Sequence, residues 1–168
     1  MSRARELSLA AVFAAMMAAG AMISIPFFLV PLSLQTLFLY LSVLLLGRGA
    51  FLGQAIYLAM GIAGLPVFSK GMAGYATIIG PTGGFLVGFL VSAIASGWLL
   101  SSLRGKRHAD VLAIALCMAI VFTMGWIWLS YWMAWNFYAA LLAGVLPFLP
   151  GDLLKAGIAL GIAKKVRL

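Results

Sequence analysis

Between residues 7 and 163 the chain is a succession of apolar runs, interrupted only by short basic, Gly-rich or Pro-rich connectors. The first run, 7–25, covers about 19 residues, long enough to span a hydrocarbon core of roughly 30 Å. It therefore reads as a first membrane helix and not as a cleavable signal peptide. Further runs lie at 34–46, 50–64, 84–103, 111–132 and, less cleanly, 138–163. With 65% hydrophobic and 8% charged residues and a mean hydropathy of +1.18, a chain of 168 residues has too little polar surface to face water as a domain. Lipid is the solvent these residues suit, and in lipid each backbone polar group must be satisfied inside the structure. The expected fold is an all-α integral membrane protein, which excludes a soluble enzyme, a disulfide scaffold and a disordered tail.

Gly47, Arg48 and Gly49 alone separate the second run from the third, so these two short helices are expected to form a tight hairpin. Pro147, Pro150 and Gly151 break the last run. A proline removes a backbone donor and pushes its predecessor out of helical geometry, which predicts a final helix from Gly151 or Asp152 to 166. A short outer or re-entrant helix over 138–146 precedes it. The result is one transmembrane domain, 1–168, with six spans at 7–25, 34–46, 50–64, 84–103, 111–132 and 151–166. Under that arrangement Arg3, Arg5, Arg48, Arg104, Lys106, Arg107, Lys164, Lys165 and Arg167 share one side. Basic loops are cytoplasmic, so both termini are expected in the cytoplasm. Lys70 alone falls opposite, and Lys155 falls inside the last helix. The outer segments 26–33, 65–83 and 131–150 carry Pro, Gly and aromatics instead of charge, as a lid would; Phe68 and Tyr75 are the lid residues expected to close over a ligand.

Asp152 and Lys155 are the sharpest chemical signal. An ionised side chain at membrane depth costs about 2.5 to 3.5 kcal/mol on insertion scales and needs compensation. At i and i+3 they share a helix face, and Lys155 lies nine positions before Lys164, roughly 13 Å from the cytoplasmic helix end. They serve either as a self-satisfied ion pair, with Asp152 capping the helix, or as the polar floor of an externally open pocket. Gln35 and Thr36 on the second run and Gln54 and Tyr57 on the third add uncharged donors and acceptors, which glue helices or join that pocket. Trp128, Trp132 and Trp135 form either an interfacial belt or a stacking wall. Along the first helix, Ala10, Ala14 and Ala18 form one small-residue face and Ala11 and Ala15 begin a second, suited to packing or to docking a partner's helix.

Other chemistries lack their parts. Cys117 is the only cysteine and His108 the only histidine, which builds no metal site. No phosphate-binding G-x-x-x-x-G-K-[ST] motif occurs, so ATP-driven work requires a partner. The formal charge of +8 is dispersed between apolar runs, unlike the gathered basic face of a nucleic-acid binder. An enzyme, a cofactor and a nucleic acid are not expected. A channel or carrier working alone, and an assembly protein without ligand, remain the competing readings.

The stretch P-L-S-L-Q-T from Pro31, then L-G-R-G-A, Q-A-I-Y-L, G-L-P-V-F and P-T-G-G-F, resembles the BioY family, as does G-V-L-P-F-L-P-G-D-L-L-K at 144–155. These are biotin-specific S components of energy-coupling factor (ECF) vitamin transporters. The resemblance implies a six-helix binding subunit in a prokaryotic cell membrane, with a capped external pocket, a transmembrane T subunit and paired cytosolic ATPases. It places Asp152 and Lys155 at the biotin site and the alanine face of the first helix against the T subunit. Phe85 stands where a tyrosine is common in the family and Ser33 where a threonine is usual, so any contact at Phe85 becomes apolar.

Overall fold

A computed structural model describes residues 3–25, 29–103, 106 and 108–166; Arg104, Arg107, Arg167 and residues 26–28 of the first outer segment lie outside them. Helix α1 is Arg3–Met22. It ends three residues before the expected 25, because Ser24–Ile25 (β1) pairs antiparallel with Leu32–Ser33 (β2), Ser24 opposite Ser33. Ile25 precedes Pro26 in the sequence, which disfavours helical geometry at that point. This two-residue ladder is the one departure from an all-helical chain among the described residues.

Helices α2 (Gln35–Leu46) and α3 (Ala50–Ile62) flank a single 3-10 turn, Gly47–Gly49. Residues Gln35–Ile62 are long and apolar enough to cross a membrane as one unit, yet they fold back on themselves. The Gln35 amide donates to Tyr57 Oη at 2.6 Å and that of Gln54 to Ser42 Oγ at 3.4 Å. In a straight helix those pairs would stand roughly 33 and 18 Å apart. Gly47, at φ 55, supplies the left-handed residue that reverses the chain. Each arm is about 18 to 20 Å long, short of a perpendicular crossing.

A short helix, α4 (Tyr75–Ile79), lies in the outer segment and leads to α5 (Gly83–Ser102); α6 (Ala109–Trp132) returns. Left-handed Ala134 and Trp135 then turn the chain into α7 (Phe137–Gly144), whose first turn is capped by the Asn136 side chain accepting from the Ala139 N–H at 2.9 Å. Helix α8, Leu149–Val166, is bent from α7 by 48°. It starts two or three residues earlier than expected, because Pro150 sits in the first turn, where no backbone donor is required. Among the described residues four helical stretches are long and apolar enough to cross a membrane, or five if the bent pair α7 and α8 counts as one span.

Small residues bring these helices together. Gly53 of α3 rests on Ala10 and Phe13 of α1, so α1 and α3 run side by side, while Leu34 donates to the Gly20 carbonyl at the far end of α1. Gly97 of α5 lies so close to the turn that a Cβ there would meet the Gly47 carbonyl. At the same end Glu6 touches Gly49, and the Arg48 guanidinium stacks 4.1 Å over Trp98. The described basic residues at the helix ends, Arg3, Arg5, Arg48, Lys106, Lys164 and Lys165, collect there, and Lys70 lies at the other end.

The alanine stripe divides. Ala10 and Ala14 are fully buried, so they are internal packing residues and not a partner surface; Ala18 is half-buried, and Ala11 and Ala15 face outward. Ala14→Leu is therefore expected to overpack the bundle and destabilise it by about 1 to 3 kcal/mol, whereas Ala15→Leu should leave stability nearly unchanged. Thermal unfolding in detergent measures both, and equal effects would contradict this division.

Candidate functional site

One turn into α2 and α8, polar side chains from both helices converge. Thr36 lies in the first turn of α2 and Tyr40 one turn further, while Asp152 lies in the first turn of α8 with Lys155 one turn beyond it. The Lys155 ammonium donates to Asp152 Oδ1 at 2.7 Å and to Thr36 Oγ1 at 3.1 Å. The Thr36 hydroxyl donates in turn to Asp152 Oδ1 at 2.8 Å, and Tyr40 Oη donates to Asp152 Oδ2 at 3.0 Å. Asp152 is thus a hub and not a helix cap: its carboxylate accepts from the three side chains, and its own N–H donates to the carbonyl of Phe148, just before α8. Its side chain is 3% exposed and that of Lys155 13%. A carboxylate so deeply buried is tolerable because three donors surround it. Lys155 commits two of its three N–H groups among the described residues, which leaves one to offer.

A second polar group caps this region from the end of the bundle that carries Lys70. Gln35 Oε1 accepts from Ser33 Oγ and from Ser69 Oγ, both at 2.9 Å, while its amide holds Tyr57. Ser69 belongs to the segment between α3 and α4, so this group ties the outer loop to α2. Phe68 anchors the same loop: its ring fills the space that a side chain at Gly61 would need and meets Tyr57 edge-on, with centroids 5.5 Å apart.

Residues of both polar groups line one cavity of about 610 Å³, adjoining open space included. Gln35, Thr36, Phe68, Asp152 and Lys155 line it, as do Ser33, Ser69, Thr77 and Thr82. Its walls are aromatic and aliphatic: Phe85, Leu86 and Phe89 from α5, Val121 and Phe122 from α6, and Phe148 before α8. An apolar chamber with a few convergent polar groups is the form of a small-molecule site.

Six of the residues singled out in the sequence for a ligand lie off this cavity, exposed Trp135 among them. Gln54 is fully buried and joins α3 to α2 through Ser42; Tyr57 is fully buried behind Gln35. Tyr75 is 65% exposed on α4. The Trp128 indole donates to the Gly80 carbonyl at 2.8 Å, fastening α6 to the loop before α5, and Trp132 is exposed beside Tyr131. These tryptophans do not line the cavity; the aromatic rings that do are phenylalanines. Tyr40, Phe89, Phe122 and Phe148 went unmarked in the sequence, since an aromatic within an apolar run looks the same whether it packs a core or lines a chamber.

Fold and cavity together define a membrane-embedded helical bundle with a small-molecule chamber at the end opposite its basic residues. The chain belongs to the BioY family, whose model matches residues 1–168. It is 36% identical over 166 residues to the "Probable biotin transporter BioY" of Pyrococcus horikoshii, with 98% of each chain covered. To the "Biotin transporter BioY" of Thermotoga maritima it is 34% identical, over 97% of this chain and 96% of the relative. Among solved structures it is similar to the S-component for biotin from an ECF-type ABC transporter. That match has a TM-score of 0.88 and 26% identity, and covers 99% of this chain and 94% of the other.

Proposed function

We propose that this chain is the membrane-embedded, biotin-binding S component of an ECF transporter, capturing biotin from outside the cell in the cavity between α2, α5, α6 and α8. The observation that carries this reading is the Asp152–Lys155–Thr36–Tyr40 cluster opening onto an apolar chamber. Biotin's ureido ring offers two N–H donors and one C=O acceptor, which match the carboxylate of Asp152 and the uncommitted N–H of Lys155. Its thioether ring and aliphatic chain suit the Phe85, Phe89 and Phe122 walls. Phe68, Gln35 and Ser69 hold the outer loop over the ligand. The purified chain is expected to bind biotin one-to-one by calorimetry in detergent, with Lys155→Met weakening affinity by about tenfold to a hundredfold. Absence of any biotin heat from a folded sample contradicts the reading.

Six spans in one domain, 1–168, follow if each arm of the α2–α3 hairpin crosses at a tilt and α7 stays at the outer face. With the basic end cytoplasmic, both termini lie inside a prokaryotic cell membrane. Single cysteines introduced at Ser2 and Val166 in a Cys117→Ala background should resist an impermeant thiol reagent in intact cells, while Lys70→Cys should label. Labelling at either terminus overturns this topology.

Transport by such a subunit draws its energy from a transmembrane T subunit and cytosolic ATPases, and the chain itself performs no catalysis. The outward alanines of α1, Ala11 and Ala15 with half-buried Ala18, are the surface we assign to the T subunit. The stable Ala15→Leu protein combined with Ala11→Leu should keep biotin binding and lose co-purification with its partners; retained co-purification rules this face out.

A further inference from the structure

The strongest unexplained feature of the cavity is its charge balance. Among the described residues that line it, Asp152 and Lys155 are the only charged ones, and they neutralise each other at 2.7 Å. The remaining polar lining consists of hydroxyls and the Gln35 amide, which carry no charge. Biotin, however, carries a carboxylate as well as its ureido ring. A carboxylate buried in an apolar chamber requires a cation of its own or a dense set of donors. Lys155 has one uncommitted N–H, but its charge is already balanced by Asp152, so a carboxylate received there would turn a neutral cluster into a net negative one.

Resting on the biotin-binding reading above, we infer that the site reads only the bicyclic end of the ligand and leaves the carboxylate in water at the open mouth. The substrate class is therefore wider than free biotin: it includes biotin derivatives whose carboxyl is blocked as an ester or an amide. The neutral cluster selects the ureido group, because a neutral donor–acceptor ligand adds no charge to a chamber whose walls are Phe85, Phe89 and Phe122. The Gln35–Ser33–Ser69 group does not discriminate by charge, as each of its members is already bonded and uncharged.

The test is competition calorimetry on the full-length chain in detergent with biotin, biotin methyl ester, biotin primary amide and a biotin methylated at a ureido nitrogen. Ester and amide are expected to bind within about threefold of biotin, and the ureido-methylated compound at least about tenfold more weakly. If biotin binds but ester and amide are both weaker by about tenfold or more, the carboxylate is received inside the chamber and the inference fails while the biotin reading stands. Undiminished binding of the ureido-methylated compound also overturns it, because the charged cluster would then not touch the ring. Failure of biotin itself to bind removes the functional reading, and this inference with it.

Discussion

A carboxylate and an ammonium placed inside an apolar bundle must satisfy each other, and the cavity-bearing half of this molecule is organised by that requirement. Asp152 sits on α8, yet two of its three partners come from α2, so the ion pair fixes how those helices face one another. Buried ion pairs of this kind gain little stability relative to an apolar replacement, because desolvation offsets most of the attraction. What they supply is a defined polar surface in an otherwise featureless interior. The side of the cluster that protein groups leave uncovered opens on the chamber, where Lys155 retains an N–H to offer.

Around that cluster the bundle closes through small residues. Lipid provides no hydrophobic drive between helices, so association depends on close packing. Gly53 on Ala10, Gly97 on the Gly47 carbonyl and Gly61 under the Phe68 ring are such contacts, and each fixes something different. The first aligns α1 with α3 and the second locks the hairpin turn against α5. Through the third, the outer loop is pinned over the cavity, which couples packing in the membrane to the cover of the site.

Much of this was legible in the sequence for reasons of solvent. Bilayer thickness limits how long an apolar run must be, so the helices over 84–103 and 111–132 could be read within one or two residues, and Gly47–Gly49 announced the turn. Asp152 and Lys155 stood out because charge is rare in such runs, and Thr36 and Gln35 because they are polar. The same apolar background hid the rest. Helix α1 is apolar on nearly every face, so nothing in its pattern told buried Ala10 and Ala14 from exposed Ala11 and Ala15. Tyr40 and the phenylalanine walls share their residue types with the core, and Trp128 drew attention for its ring when its indole N–H is what the fold uses. Pairing Gln35 with Tyr57 needed the hairpin in three dimensions.

Combining Asp152→Asn with Lys155→Met, and measuring thermal stability and biotin affinity on the same detergent-purified sample, tests the central claim most directly. Both charges disappear together, so neither is stranded, and the fold should remain as stable as the parent or become more so. If the cluster is the ligand's polar anchor, this folded double variant loses biotin affinity by about a hundredfold or more, the loss of at least one charge-assisted hydrogen bond at each end of the pair. A double variant that is folded and binds biotin with parental affinity would show that Asp152 and Lys155 serve only each other.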